Sequence, residues 1–272
     1  VRFAGTPPQA RRIDCAGPYN GRQRTFAATW PAAFVLAASG MAVTLHGVRE
    51  IGPKRGITLH AMLLTRGIDM DRIPLEHLAS ALRELGVGYA PAERMCPPLA
   101  DLHDIREQLG LRTVLNTAEK LLDYGQSPFL AMGIFHRTVA ERYGEAAIRL
   151  GYRRTAIVQG MEGSEDLYVD RPTTVWIAEG GAVGQAEEKE PDAGDSGQAP
   201  ITRQVIDPET FGLRRDVPDV AWTAASQIET AEAVLDGSAP AAFIDMTVLN
   251  AAFRMHLSGR VQALEEGIAL SR

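Results

Sequence analysis

Short β-branched or apolar runs alternate along this chain with stretches of helical periodicity, and that alternation restricts the fold more than any other feature. Strands separated by helices are joined by crossovers, so the pattern predicts an α/β fold with a central, mainly parallel sheet flanked by helices. The runs that read as strands are Arg12–Ala16, Ala42–His46, Phe129–Phe135, Thr155–Gly160, Thr174–Ala178 and Thr202–Ile206. Helices are predicted over Pro31–Ser39, Thr138–Leu150, Ala225–Asp236 and Met246–Ser258. From Leu59 to Leu122 the pattern is mostly helical, and Leu75, Leu78, Ala79, Leu82 and Leu85 mark one apolar face that reads as core.

A length of 272 residues with 45% hydrophobic content suits one large domain, here residues 1–272, with residues 59–122 as a small helical subdomain. The formal net charge of -6 argues against a uniformly basic nucleic-acid binder while allowing a local basic face. Cys15 and Cys96 lack metal-ligand spacing and read as reduced thiols. No apolar run approaches the roughly 18 residues of a membrane span. The longest, Ala32–Ala42, is broken by Ser39-Gly40 and reads as a buried helix. The opening Val1–Arg12 is polar, without a signal-peptide core, so a cytoplasmic protein with no membrane partner is expected. Gly181–Pro200 is acidic, rich in Gly and Pro, and almost free of large apolar groups. Such a stretch cannot bury enough surface to offset its ordering entropy, and it is expected to be a flexible insertion between two strands.

Six stretches carry a family resemblance. Asp14–Gly17 with Thr25-Phe26 comes first, then Ala32–Gly40 closing in Leu45-His46-Gly47-Val48-Arg49. Ile105–Thr113 follows, then Gln159-Gly160 with Gly163-Ser164-Glu165-Asp166. The last two are Ile206–Leu213, and Leu249–Ala252 with Leu264–Gly267. In this order and spacing they resemble the anthranilate phosphoribosyltransferases of glycosyl transferase family 3. The Glu119–Leu122 stretch (EKLL) is similar to that of a divergent second branch of those proteins. The resemblance implies the shared nucleoside phosphorylase and phosphoribosyltransferase fold, a homodimer, magnesium, and phosphoribosyl pyrophosphate as donor. It also implies a leading helical bundle. The chain as given opens almost directly on its first strand, so a truncated helical subdomain is expected, from a fragment or a misassigned start.

In the family a glycine-rich loop cradles the pyrophosphate, an acidic pair holds magnesium, and an arginine grips the acceptor. Here the eight-residue step from Gly17 to Thr25 keeps the register of that loop. Between them lie Pro18, which has no N–H to donate, and Tyr19 and Asn20, which lack glycine's close approach to a ligand. Arg22 and Arg24 instead add two cationic forks able to hold phosphate. Thr29 keeps a hydroxyl at the next helix entry, where it could touch phosphate or cap the helix. His46, Gly47 and Arg49 persist from the second motif, and Lys54 and Arg55 stand in a replaced phosphate loop. Arg22, Arg24, Arg49, Lys54 and Arg55 are expected to gather positive charge around one cleft that takes a phosphate-bearing ligand.

Arg106 matches the acceptor-side arginine. Lys120 replaces a pocket proline, and a charged group there is poorly suited to holding an apolar aromatic ring unless Glu119 and Lys120 pair. Glu165-Asp166 inverts the order of the family's metal pair and still offers the oxygen ligands magnesium prefers. Two function classes follow. One is a transferase moving a phosphoribosyl or other pentosyl group to a nitrogen acceptor, with anthranilate itself disfavoured by the altered pocket. The other is a non-catalytic protein that binds nucleotide or single-stranded nucleic acid in the same cleft.

Overall fold

The computed structural model describes residues 12–180 and 199–272. Its strands are β1 (Arg12–Ala16), β2 (Ala42–Gly47), β3 (Val87–Pro91), β4 (Phe129–Gly133), β5 (Arg154–Val158), β6 (Thr173–Glu179) and β7 (Ile201–Ile206). They form one sheet in the order β3-β2-β1-β4-β5-β6-β7. The pairs among β1 to β5 are parallel, and β6 and β7 add on antiparallel. All residues of β1, β2, β3 and β4 are buried, as strands covered on both faces should be. The edge strand β7 is different: Thr202, Arg203 and Gln204 are exposed, and their polarity protects an open edge from further pairing.

Helix α1 (Thr29–Ala38) links β1 to β2. It begins two residues earlier than its Pro31 suggested, with Ala28 at the N-cap and Pro31 in the first turn. Thr29 is therefore not the cap, and its hydroxyl accepts from Arg254. Residues 59–122 hold six short helices, α2 (Leu59–Leu64), α3 (Leu75–Leu85), α4 (Ala92–Met95), α5 (Pro97–Asp101), α6 (His103–Leu109) and α7 (Leu115–Ala118). They also hold β3, which a mostly helical reading missed. That strand is five residues long and carries both Gly88 and Pro91, so its sequence lacks strand character. Its place comes from packing: Cβ on Gly88 would lie 2.9 Å from Leu82 Cβ, which lets α3 rest directly on the strand.

Helix α8 (Ala140–Arg149) covers β5 and β6. The C-terminal helices α9 (Ala224–Leu235), α10 (Ala241–Leu257) and α11 (Leu264–Ser271) close the other face. α10 packs between α1 and α11. Phe26, Trp222 and Phe243 form an aromatic cluster there, with centroids 5.0–5.7 Å apart. Cys15 is buried and Cys96 partly buried, both as free thiols. Among the described residues no helix is long and apolar enough to cross a membrane. The insertion expected at 181–200 lies, but for its last two residues, outside the described residues.

Candidate active site at the carboxyl ends of the strands

From β1 the chain builds outward to β2 and β3 on one side and to β4 and β5 on the other. Between β1 and β4 the strand order reverses, and in open α/β sheets the crevice outside such a point receives ligands. A cleft of about 230 Å³ opens there. Pro18, Tyr19 and Asn20, which follow β1, form one wall, and Met132, Gly133 and Ile134 at the end of β4 form another. Arg112, Lys120 and His136 add positive or titratable groups. A second cavity of about 20 Å³ lies beside Gly17, Arg22, His46, Gly47 and Glu165, with space for about one water. Tyr19 lines both and forms the partition between them. Its hydroxyl lies 2.6 Å from His46 Nδ1 and donates to the Glu119 carbonyl at 2.9 Å. His46 Nε2 is in turn 3.2 Å from Asp14 Oδ1.

In the loop from Gly17 to Thr25 the amides of Gly21, Arg22, Gln23 and Arg24 are engaged within the protein. Gly21 N–H donates to Pro18 O, and Arg22 exchanges both backbone hydrogen bonds with Ile57. The next donors converge on Glu162, whose carboxylate accepts from the N–H groups of Gln23 and Arg24, from the Thr25 hydroxyl at 2.8 Å, and from Lys54 Nζ at 2.7 Å. These are the contacts a phosphate would use, made by a side chain of the protein itself. Burial alone would raise the Glu162 carboxyl, but the hydrogen bond from Lys54, with those from Arg24 N–H and Thr25, holds it down at about 2.

Beneath that loop lies a buried charge cluster. Glu165 and Asp166 are fully buried. Arg22 Nη2 is 2.8 Å from Asp166 Oδ2 and 3.4 Å from Glu165 Oε2, while Arg254 Nη2 reaches Asp166 Oδ1 at 3.2 Å and Thr29 Oγ1 at 3.3 Å. Desolvation favours the neutral form of Glu165, but Arg22 and then Arg254 outweigh it and hold the carboxyl below its ordinary value. Among the carboxylate oxygens of the cluster, Glu165 Oε1 is left over, buried beside Gly17 with neither a hydrogen bond nor an ion pair. A Cβ on Gly17 would lie 2.8 Å from Glu165 Oε2, so any larger residue there would displace that carboxylate.

Arg106 is buried in an ion pair with Glu119, 2.8 Å apart. Burial raises the Glu119 carboxyl to about 7 against the pull of Arg106. Lys120 does not pair with Glu119. Its Nζ donates to Gly133 O at 2.7 Å at the end of β4, and burial lowers the amine to about 8 despite the charges of Glu165 and Glu119.

The expected basic ring around one opening does not form. Arg22 is committed to the acidic pair and Lys54 to Glu162. Arg49 pairs with Asp71 at 3.4 Å, and Arg55 pairs with Glu107 and Glu50. Arg49 and Arg55 line a separate shallow cleft of about 410 Å³ together with Glu50, Asp71, Glu93, His103 and Glu107. Arg24 is exposed and lends the site its backbone N–H. Of these arginines Arg22 is the buried one, and a buried guanidinium is costly without a carboxylate partner. Gly47 sits where a Cβ would lie 3.1 Å from the Tyr89 hydroxyl. His46 lines the smaller cavity, the Thr25 hydroxyl donates to Glu162, and the Thr29 hydroxyl accepts from Arg254. Sequence reasoning missed Glu162 and Arg254. A lone arginine amid the apolar α10 sequence was the available signal for Arg254, and Glu162 gave none beyond its place between Gly160 and Gly163.

The same fold occurs in known proteins, and it places the chain in a family. The model of the glycosyl transferase family, α/β domain, matches residues 11–272, and the chain belongs to that family. The anthranilate phosphoribosyltransferase of Persephonella marina is 27% identical over 266 residues, covering 97% of this chain and 72% of the relative. That of Geobacillus stearothermophilus is 28% identical over 263 residues, covering 96% and 71%. Among solved structures, the anthranilate phosphoribosyltransferase of Thermus thermophilus superposes with a TM-score of 0.69 at 25% identity, covering 96% of this chain and 72% of that one. The Saccharomyces cerevisiae enzyme in complex with phosphoribosyl pyrophosphate and magnesium shares the fold, with a TM-score of 0.72 at 22% identity over 97% and 68%.

Proposed function

We propose that the chain transfers a phosphoribosyl group from phosphoribosyl pyrophosphate to a nitrogen acceptor. The observation that carries this reading is the 230 Å³ cleft at the reversal of strand order, adjoining the Glu165 cavity through Tyr19. The acceptor nitrogen forms its bond to the ribose carbon as the bond to pyrophosphate breaks. Pyrophosphate leaves with the electron pair, and the nitrogen gives up a proton. Little covalent chemistry is asked of the protein, so positioning and charge compensation dominate.

Magnesium fits this donor set through Glu165. It usually binds through one or two carboxylates together with substrate phosphates, and Glu165 Oε1 is the buried oxygen without a partner. The ion would supply charge neutralisation of the leaving pyrophosphate. Asp166, held by Arg22 and Arg254, orients the pair. On the acceptor side Arg106 is occupied by Glu119, so Lys120 and Arg112 are the cations left to meet an acidic acceptor. That change of anchor favours an acceptor other than anthranilate. A homodimer belongs to the same proposal, with Ile105, Leu109, Leu111 and Val114 as exposed apolar side chains available to it, and sedimentation velocity reads it directly.

Nucleic-acid binding is the weaker reading, since Arg22, Arg49, Lys54 and Arg55 all carry carboxylate partners. Phosphoribosyl pyrophosphate with magnesium should raise the melting temperature through mass action, and Glu165→Ala should abolish that rise. Salt-sensitive binding of single-stranded DNA with no such rise would overturn the transferase reading.

A further inference from the structure

Beside the shallow cleft, away from the proposed transfer site, lies a group that the transfer chemistry leaves unused. His60 on α2 is 1% exposed, and neither of its ring nitrogens has a hydrogen-bond partner. Its ring stands edge-on to Tyr89 at 5.9 Å. Nε2 faces Asp71 Oδ2 at 3.6 Å and Asp69 Oδ1 at 3.9 Å, both beyond hydrogen-bond reach. Burial is the largest influence on this imidazole and lowers its pKa against the pull of Asp71 and Asp69. Nε2 is thus a buried nitrogen without a hydrogen bond, aimed at two carboxylate oxygens on one side, and a cation shared among the three atoms would satisfy it.

The spacing suits that cation. The three donor atoms lie within 4.8 Å of one another. A shared ion at bonds of about 2.0–2.2 Å would set tetrahedral ligands about 3.4 Å apart, so the two His60 contacts close by roughly 0.2 and 0.5 Å and the two carboxylate oxygens by at most about 1.4 Å. Asp69 and Asp71 side chains are 21% and 41% exposed and have room to make these shifts. The backbone N–H of Asp71 already donates to Asp69 Oδ1 at 3.1 Å and holds that carboxylate toward the ring. The competing cations are Arg49, 3.4 Å from Asp71 with a side chain 54% exposed, and Arg72, 3.4 Å from Asp69 and 87% exposed. Such exposed pairs are weak and yield to a divalent ion. Asp71 also lines the cleft that contains Glu93 and His103, so coordination left over opens toward that cleft.

We propose that His60 Nε2, Asp69 and Asp71 form a binding site for a zinc-class divalent cation, distinct from the magnesium position, with an open coordination position facing the shallow cleft. One imidazole with two carboxylates selects a first-row transition ion over magnesium, which keeps to oxygen ligands and water. Cobalt(II) serves as the spectroscopic probe, added to the intact protein without phosphoribosyl pyrophosphate. The expected result is stoichiometric binding with a visible ligand-field band, displaced by zinc and unaffected by excess magnesium. Asp69→Asn and Asp71→Asn keep side-chain size, and removing a direct ligand should weaken binding at least as much as losing an outer-shell partner, roughly 10–100-fold. The melting temperature of the metal-free variants should match that of the parent, which reports that they fold. Absence of the band in the parent protein, or unchanged affinity in the Asp69→Asn, Asp71→Asn double variant, would overturn the proposal.

Discussion

Glu162 places a carboxylate among donors that would otherwise face a phosphate. Its side chain is only 6% exposed, although Gln23 and Arg24, which donate to it, lie at the surface. The sign of its contribution follows from its depressed carboxyl: stability is fully present above the ordinary value of 4.5 and is lost as pH falls toward about 2. Glu162→Gln should remove the acid-sensitive part of the unfolding profile in that window and cost about 2 kcal/mol near neutral pH, a figure typical of charge-assisted hydrogen bonds. Urea denaturation across pH checks both. Lys120 gives a second titration, on the functional side. Its amine, lowered to about 8 by burial, is charged at neutral pH and loses its proton as pH rises through that value. Binding of an anionic ligand in the cleft should therefore weaken as pH rises through about 8, and Lys120→Met should flatten that dependence. A binding isotherm whose pH profile is the same in both proteins would refute the role. Of these residues the sequence made Lys120 visible, because it replaces a proline at a fixed spacing. Glu162 was invisible, because only the folded loop brings it to Gln23, Arg24 and Thr25.

Among the elements, composition and not length decided what was legible. β1, β2 and β4 stand within a few residues of their expected bounds, and each lacks the internal Gly and closing Pro that disguise the similarly short β3. The early stop of β4 at Gly133 has a steric reason. A Cβ there would lie 2.3 Å from the Gly163 carbonyl, so the strand ends where the loop bearing Glu165 crosses it. α10 begins at Ala241, five residues before its expected start at Met246, because Pro240 at its N-cap begins a helix that is apolar almost all round. β3 was lost for the opposite reason, being composed of residues with little strand preference and held by α3. Gly88→Val should accordingly destabilise the protein by about 1–3 kcal/mol through overpacking against Leu82. Thermal unfolding would measure it, and an unchanged midpoint would show that α3 is not pressed onto that strand.

At the scale of the whole molecule, the charge of -6 is laid out so that most cations on the site's rim are matched locally by acids. The field at the cleft is then set by a few groups, chiefly Lys120 and Arg112, and not by a basic surface. The sheet has its own asymmetry. Its parallel half carries the site, while β6 and β7 form an antiparallel extension in which Ala178 pairs with Ile201. The two ends of the intervening chain are thus fixed one strand spacing apart, about 4.8 Å. Whatever joins them needs only to close a hairpin, and register is set by the strands themselves. Replacing residues 182–198 with a short glycine-containing turn should leave the melting temperature nearly unchanged, and a large drop would show that the segment packs. The same geometry makes this the natural place to cut the chain. New termini opened there would lie side by side at the sheet's far edge, well removed from Glu165, so reporters or partner domains could be grafted on without disturbing the crevice.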